Sequence, residues 1–209
     1  MVVRFVLAFC MLAGCSRPLT ESEDAFAQDL FGPSLDTSKV RVAQGLGITP
    51  LARPGSTEVQ LVVPTERACV RTPQPFGSQP PQAFALGHRV HFSSELYSND
   101  MALQWPNRLR VPEAIIFAHE LTHVWQWQNR DRTGYHPLRA VAESLSLADP
   151  YFSAGQDAFF NFGYEQQAAI VEDYVCFAFA NPNHPRRQEL RDILEPIFPV
   201  DIFDAAIRE

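Results

Sequence analysis

The sequence predicts an α+β fold, in which a small sheet packs on one long helix and is followed by a mostly helical C-terminal half. Two observations carry this prediction. Short segments rich in β-branched residues, flanked by proline or glycine, lie in the first half of the chain. The second half contains long stretches without proline or glycine, and their apolar residues recur at helical spacing.

The chain is predicted to have three parts. Residues 1–14 are a predicted lipoprotein signal peptide, residues 15–36 a tether, and residues 37–209 one domain. This last part has the size of a single domain that can bury a proper core. The composition, 46% hydrophobic and 20% charged residues, is typical of globular proteins.

The signal peptide prediction depends on the first 15 residues. Met1–Arg4 carries one positive charge, and the apolar run that follows is too short to span a bilayer. The run ends in Leu12-Ala13-Gly14-Cys15, which resembles the bacterial lipobox. Cys15 is then the lipid-bearing N-terminus, and its several acyl chains anchor the protein to a membrane. Because Ser16 follows rather than aspartate, we expect an outer-membrane lipoprotein that faces the periplasm. The alternative is an ordinary secretory signal that contains a cysteine.

Within the remaining chain, the local patterns divide as follows. Strands are predicted at 39–42, 58–63 and 89–92, and a loop at 72–81; helices are predicted at 25–30, 112–128, 138–147, 164–180, 186–194 and 201–207.

The most informative motif is His119-Glu120-Leu121-Thr122-His123, which reads H-E-x-x-H. Two histidines four residues apart lie on one face of a helix, so both imidazoles can reach one cation. Catalytic zinc takes three protein ligands and leaves one position open for water. Glu120, beside the first histidine, can accept a proton from that water, whose pKa the zinc lowers. A core helix with hydrogen-bonded histidines is the alternative interpretation.

The third ligand is expected on the predicted helix 164–180, which contains three acids. Glu165 and Glu172 are two turns apart on about the same face, so one can bind zinc while the other orients a ligand histidine. Asp173 is the third acid. The spacing alone does not distinguish among them, and a solvated helix surface is the common location of such residues.

Charge and cysteine content add two further expectations. A net charge of -7 argues against a nucleic-acid partner, because phosphate binding requires basic patches. Two cysteines, Cys69 and Cys176, remain after the signal peptide. Export to an oxidising compartment favours a disulfide between them. Two buried free thiols are the alternative, since cysteine behaves as a small hydrophobe.

The segment 117–126 (FAHELTHVWQ), followed by the Glu165-Gln166-Gln167-Ala168 helix, resembles a group of bacterial zinc metallopeptidases. These zincins carry an H-E-L-x-H-V-x-Q helix and include domains associated with Vgr and contractile-injection proteins. The upstream segment 83–92 resembles the strand that precedes the metal helix in that group. The resemblance implies a zincin-like fold, a bound Zn²⁺ and a peptide or protein substrate.

Related gluzincin-type families carry E-x-x-A on the second helix, and the first glutamate of that motif binds zinc. The resemblance therefore implies that Glu165 is the third ligand. Those families often have an aspartate four residues later, where this chain has Ala169. Glu172 or Asp173 is expected to take over that supporting role.

Two functions remain in competition. The first is a zinc-dependent peptidase of the periplasm or cell envelope, with Glu120 as general base. The second is a non-catalytic zinc lipoprotein that acts as a binding or structural module. A purely structural site has four ligands and needs no general base, so Glu120 favours the enzyme. Four residues are candidates for stabilising the oxyanion of the reaction: Tyr135, His136, Tyr151 and Tyr164.

Overall fold

The computed structural model describes residues 16–45, 69, 82–146, 151 and 157–208, with the backbone alone for residues 144–146. These residues form an α+β fold with one four-stranded sheet, which confirms the predicted class. In chain order the elements are β1 (Ser16–Arg17), α1 (Glu21–Phe31), β2 (Arg41–Gln44), β3 (Ala83–Leu86), β4 (Arg89–Phe92), α2 (Glu113–Gln128), α3 (Arg130–Thr133), α4 (Pro137–Ser146), α5 (Tyr164–Ala180), α6 (Pro185–Leu194) and α7 (Val200–Arg208).

The sheet has the strand order β1-β2-β4-β3, and β2 and β4 are its only parallel pair among the described residues. Val42 and Val90 lie opposite each other in register and are fully buried, so this face of the sheet belongs to the core. A tight turn at Gly87, which has a φ of 61°, joins β3 to β4. The backbone there requires glycine because a side chain at positive φ is strained.

Two of the predicted strands lie within the described residues. The strand predicted at 89–92 is confirmed as β4, whereas the one predicted at 39–42 begins two residues later as β2. The delay occurs because Thr37–Lys39 forms a 3-10 turn, in which the backbone N–H of Val40 donates to the carbonyl oxygen of Thr37 before the strand begins. The predicted strand at 58–63 and the predicted loop at 72–81 lie outside the described residues.

Helices α2 and α5 form the centre of the molecule. Every residue from Phe117 to Gln126 is buried, because α2 packs against α5 on one side and the sheet on the other. A helix that is apolar on most sides must be buried in this way. The predicted helices 112–128 and 164–180 are confirmed as α2 and α5, and the predicted helices 138–147, 186–194 and 201–207 correspond to α4, α6 and α7.

Residues 16–36, predicted to be a tether, are part of the fold. Thr20 caps α1 through a capping box with Glu23, so the helix begins at Glu21 rather than at the predicted residue 25. Phe26 and Leu30 on this helix are buried in the core. Burial of one such side chain stabilises the fold by about 1.5–3 kcal/mol, which holds this segment in place.

A disulfide joins Cys69 to Cys176 on α5, with a Cα–Cα distance of 5.6 Å. It confirms the predicted pairing over the alternative of two free thiols. The bond closes a loop of 107 residues, which stabilises the fold by on the order of 4–5 kcal/mol through restriction of the unfolded chain. Among the described residues, all helices are too short or too polar to cross a bilayer.

Candidate metal centre

Three side chains from α2 and α5 meet between these helices. His119 and His123 project from the same face of α2, one turn apart, and Glu165 faces them from the first turn of α5. Glu165 Oε2 lies 3.3 Å from His119 Nε2 and 3.4 Å from His123 Nε2. One ligand atom from each residue lies within 4.8 Å of the others, so the group can hold a metal ion.

The structure also distinguishes among the three acids of α5, whose spacing did not show which one is the third ligand. Glu165 is the one placed between both histidines, whereas Glu172 lies two turns further along α5, on the opposite side of the His119 ring. His119 Nδ1–H donates to Glu172 Oε2 at 3.0 Å, which leaves Nε2 directed at the position that a metal ion could take. Asp173 is the next residue of α5 and is half-buried.

His123 has a partner that the sequence analysis missed. Its Nδ1–H donates to the side-chain oxygen of Gln126 at 2.8 Å. The signal was present in the sequence, since Gln126 follows His123 by three residues and therefore lies next to it on the helix. Each histidine thus has Nδ1 bound to the protein and Nε2 facing Glu165.

Glu120 is the unusual member of the group. It is only 5% exposed, and its Oε2 atom is without a hydrogen-bond partner in the part of the chain that the structure describes. Burial raises the pKa of Glu120 to about 7, although the nearby charges of His119 and His123 oppose this rise. Burial of a carboxylate oxygen without a hydrogen-bond partner costs free energy. Its presence therefore indicates that a ligand or a reactant binds beside it.

The metal-free charges of the site are arranged around the cation position. Burial alone would lower the pKa of His119, but its hydrogen bonds with Glu165 and Glu172 raise it to about 10. Glu165 likewise raises the pKa of His123 despite burial, and the two histidines hold the pKa of Glu165 well below its usual range. In the metal-free protein, the positive charge of the protonated histidines therefore balances the negative charge of the carboxylates. A bound metal cation would supply that positive charge instead.

The donor set fits a divalent metal of the zinc type. Two imidazole nitrogens and one carboxylate oxygen are the ligand types of catalytic zinc sites, and three protein ligands leave a position open for water. The unpartnered Oε2 of Glu120 supports the same conclusion, because an open position needs an acceptor beside it. His119, His123 and Glu165 would hold the ion.

Two tyrosine rings lie against the two histidines. The Tyr135 ring is 6.1 Å from that of His123 and is almost fully buried; the Tyr151 ring is 5.8 Å from that of His119 and is more exposed. Burial raises the pKa of Tyr135, and the charges of Glu165 and Glu120 raise it further, so its hydroxyl stays protonated.

The other two candidates for an oxyanion donor are engaged elsewhere. The Tyr164 hydroxyl donates to the carbonyl oxygen of Gly134 at 2.7 Å. His136 is exposed, and its Nδ1 accepts from the backbone nitrogen of Leu138 at 3.2 Å. Cys15, the predicted site of lipid attachment, lies outside the described residues.

Comparisons with known proteins give one structural neighbour. No protein-family model matches the chain, and no curated protein matches it. The fold is similar to that of the effector domain of Pseudomonas aeruginosa VgrG2b, with a TM-score of 0.57 and 22% sequence identity over 90% of this chain and 89% of that chain. This similarity concerns the fold, and it agrees with the Vgr-associated resemblance of the sequence.

Proposed function

We propose that this protein is a zinc-dependent peptidase that hydrolyses peptide bonds in the cell envelope. The observation that carries the proposal is the buried Glu120 carboxylate, whose Oε2 is unpartnered among the described residues beside the His119, His123 and Glu165 group. A site that only stabilised the fold would complete its coordination with a fourth ligand. It would have no reason to keep a carboxylate in this position.

Each residue has a defined task in this proposal. His119, His123 and Glu165 would hold the zinc ion, which would supply Lewis acidity to the attacking water and to the scissile carbonyl. Glu120 accepts one proton from the water as its oxygen bonds to the carbonyl carbon. The same carboxyl then gives that proton to the leaving nitrogen as the C–N bond breaks, so the protons balance.

Tyr135 is the residue we assign to the developing negative charge on the carbonyl oxygen. Its ring packs beside His123, its hydroxyl stays protonated, and the two other aromatic candidates on its side of the site, Tyr164 and His136, are bound elsewhere or exposed. A fixed hydroxyl donor aimed at a developing oxyanion is a large source of rate acceleration.

Strand β3 offers a place for the substrate backbone. It is an edge strand among the described residues, and it lies against α2, which carries both histidines. An extended peptide can add to such an edge by backbone hydrogen bonds. We therefore propose an unfolded or extended protein segment as substrate.

Export is part of the proposal. The predicted signal peptide, lipid attachment at Cys15 and the disulfide between Cys69 and Cys176 all fit an oxidising compartment. The neighbour is described as an effector domain, and the shared fold supports an exported, effector-like role for this chain. The proposed location is the outer membrane, facing the periplasm.

The test is cleavage of casein, a disordered protein, by the purified protein with its zinc content measured. We expect cleavage that stops when zinc is removed by a chelator and returns when zinc is restored. His123→Ala, which removes one ligand, serves as the inactive control. Full zinc occupancy without any cleavage would favour the alternative, a zinc-binding lipoprotein that acts as a binding or structural module.

A further inference from the structure

Gln126 occupies an unusual position for a neutral polar residue. Its side chain is fully buried on α2, three residues after the ligand His123. Its Oε1 atom accepts the His123 Nδ1–H at 2.8 Å, and its Nε2 atom donates to Tyr164 O at 3.1 Å and to Gln167 Oε1 at 3.0 Å. Both ends of the amide are thus engaged, one on a metal-ligand histidine and the other on α5.

The hydrogen bond of Gln167 with the backbone determines the direction of the others. Gln167 Nε2 donates to the backbone carbonyl of Phe162 at 2.8 Å, and a carbonyl can only accept. Gln167 Oε1 must therefore face Gln126, whose Nε2 must donate to it. The remaining atom, Gln126 Oε1, can only accept, so the proton of His123 must lie on Nδ1.

The side chain of Gln126 also holds the turn that carries the third ligand. Tyr164, the residue before Glu165, receives the Gln126 bond at its carbonyl oxygen, and its backbone nitrogen donates to Glu143 Oε2 at 2.7 Å. The backbone of Tyr164 is therefore hydrogen-bonded to one side chain from α2 and one from α4. The position of Glu165 relative to His123 follows from these two contacts.

We propose that Gln126 and Gln167 form an amide relay, which keeps the Nε2 lone pair of His123 free for the metal and ties this ligand to the helix turn of Glu165. Both glutamines are positioning residues, because they act through His123 and the Tyr164 backbone. The inference rests on the metal site of the proposed function and not on peptide hydrolysis.

A neutral amide suits this place better than a carboxylate. Glu120, Glu165 and Glu172 already surround the two histidines, and a further negative charge would add repulsion in a buried site. An amide also offers donors, which a carboxylate lacks, for the carbonyl oxygen of Tyr164. The two histidines therefore use different supports: a carboxylate for His119 and an amide for His123.

The experiment measures zinc affinity by chelator competition and the visible absorption spectrum of the cobalt(II)-substituted protein, which reports coordination geometry. Gln126→Met leaves His123 Nδ1 without an acceptor and is expected to weaken zinc binding about 10- to 100-fold, the usual loss when the partner of a ligand histidine is removed. Its cobalt spectrum should change. Gln126→Glu restores the acceptor and should bind zinc more tightly than Gln126→Met does.

Gln128→Met is the matched control, because it makes the same substitution on α2 at a residue that contacts Asp36 rather than a ligand. It should leave both measurements unchanged. If the Gln126 variants do not fold, Gln167→Met breaks the relay one residue further from His123 and should weaken zinc binding about tenfold.

Two results would overturn the relay. The first is zinc affinity within about twofold of wild type for Gln126→Met, or for Gln167→Met where that variant replaces it. The second is a Gln126→Glu variant that binds zinc no better than Gln126→Met, since an acceptor for the His123 Nδ1–H would then contribute nothing to zinc binding. Neither readout requires cleavage, so an inactive protein with an intact relay would contradict the proposed function alone.

Discussion

Helix α5 packs beside a buried carboxylate of another helix in each of its two halves, and the protein satisfies these two carboxylates differently. In its second half, Tyr174 meets Asp204 of α7, a carboxylate that is 4% exposed. Both oxygens of Asp204 are bound: the Tyr174 hydroxyl and Arg187 donate to Oδ1, each at 2.6 Å, and Arg191 donates to Oδ2 at 2.7 Å. Beside its first half, which carries Glu165 and Glu172, lies Glu120 of α2, and this carboxylate has an oxygen without a partner among the described residues.

The difference separates a structural charge cluster from the one that we propose to be functional. Asp204 is surrounded by two guanidinium groups, and its negative charge is balanced inside the protein. One atom there is also unpartnered among the described residues, Arg187 Nε, but the same guanidinium binds Asp204 through another nitrogen. Around Glu120 the protein supplies ligand atoms for a cation and leaves an acceptor beside them. Buried charge that is kept unsatisfied needs a reason other than stability.

The largest expected effect on stability lies in the Asp204 cluster. Asp204→Ala leaves two guanidinium groups without their buried partner, and removal of one partner from a buried pair costs about 3–5 kcal/mol. We expect the loss near the lower limit, because Arg187 and Arg191 are partly exposed. Zinc affinity should not change. Urea unfolding and chelator competition measure the two quantities.

Asp201→Ala provides the control on the same helix. Asp201 also pairs with Arg191, but its side chain is 80% exposed, so its removal should change the unfolding free energy by less than about 1 kcal/mol. Equal losses for the two aspartates would remove the contrast between buried and exposed charge on α7.

The next effect in size concerns the hydroxyl of Tyr135. Tyr135→Phe keeps the ring that packs beside His123 and removes the proposed donor to the oxyanion. Loss of one such donor lowers kcat by about a hundred- to a thousandfold. KM and zinc content should stay close to those of wild type. Steady-state cleavage of a fluorogenic peptide measures both constants, and an unchanged kcat would remove Tyr135 from the mechanism.

The smallest expected effect is a gain in stability at Glu120. The pKa of Glu120 rises from 4.5 to about 7 in the folded, metal-free protein, so the folded state binds this proton more tightly than the unfolded chain. Ionisation therefore destabilises the fold increasingly between these two pH values and by a constant amount above them. Glu120→Gln cannot ionise, and its stability relative to wild type should rise across the same window, by on the order of 2–3 kcal/mol.

Urea unfolding of both proteins in chelator, at about pH 5 and about pH 8, measures this difference. Asp204→Ala, measured alongside, should be less stable than wild type at both pH values. A Glu120→Gln variant that is less stable than wild type at the higher pH would mean that Glu120 supports the fold, as Asp204 does.

Much of the fold follows from short-range patterns that the sequence contains. The helices α2 and α5 were predictable because uninterrupted apolar spacing and the absence of proline and glycine act locally. The role of α1 was not recognised, although Thr20 and Glu23 form a capping box and Phe26 and Leu30 lie one turn apart. A polar segment before the first predicted strand has the composition of a linker, and only tertiary packing buries its apolar face in the core.

The residues of the candidate metal site also fall into two sets: those that local spacing predicts and those that it does not. His119, Glu120 and His123 are neighbours along one helix, so their spacing places them on one site. The choice among Glu165, Glu172 and Asp173 depended on the crossing of two helices, which spacing does not fix. The Gln126–Gln167 contact was equally inaccessible, because it joins side chains 41 residues apart. Tertiary packing decided each of these contacts.

The most direct test of the account is the turnover of Glu120→Gln at zinc occupancy equal to that of wild type. Glutamine has nearly the shape of glutamate, so the metal ligands and the fold should remain, while the general base is gone. We expect the rate of casein cleavage to fall by about a hundred- to ten-thousandfold, the usual contribution of general-base catalysis. Undiminished cleavage by Glu120→Gln at the same zinc content would contradict the central claim that this buried carboxylate is kept for catalysis.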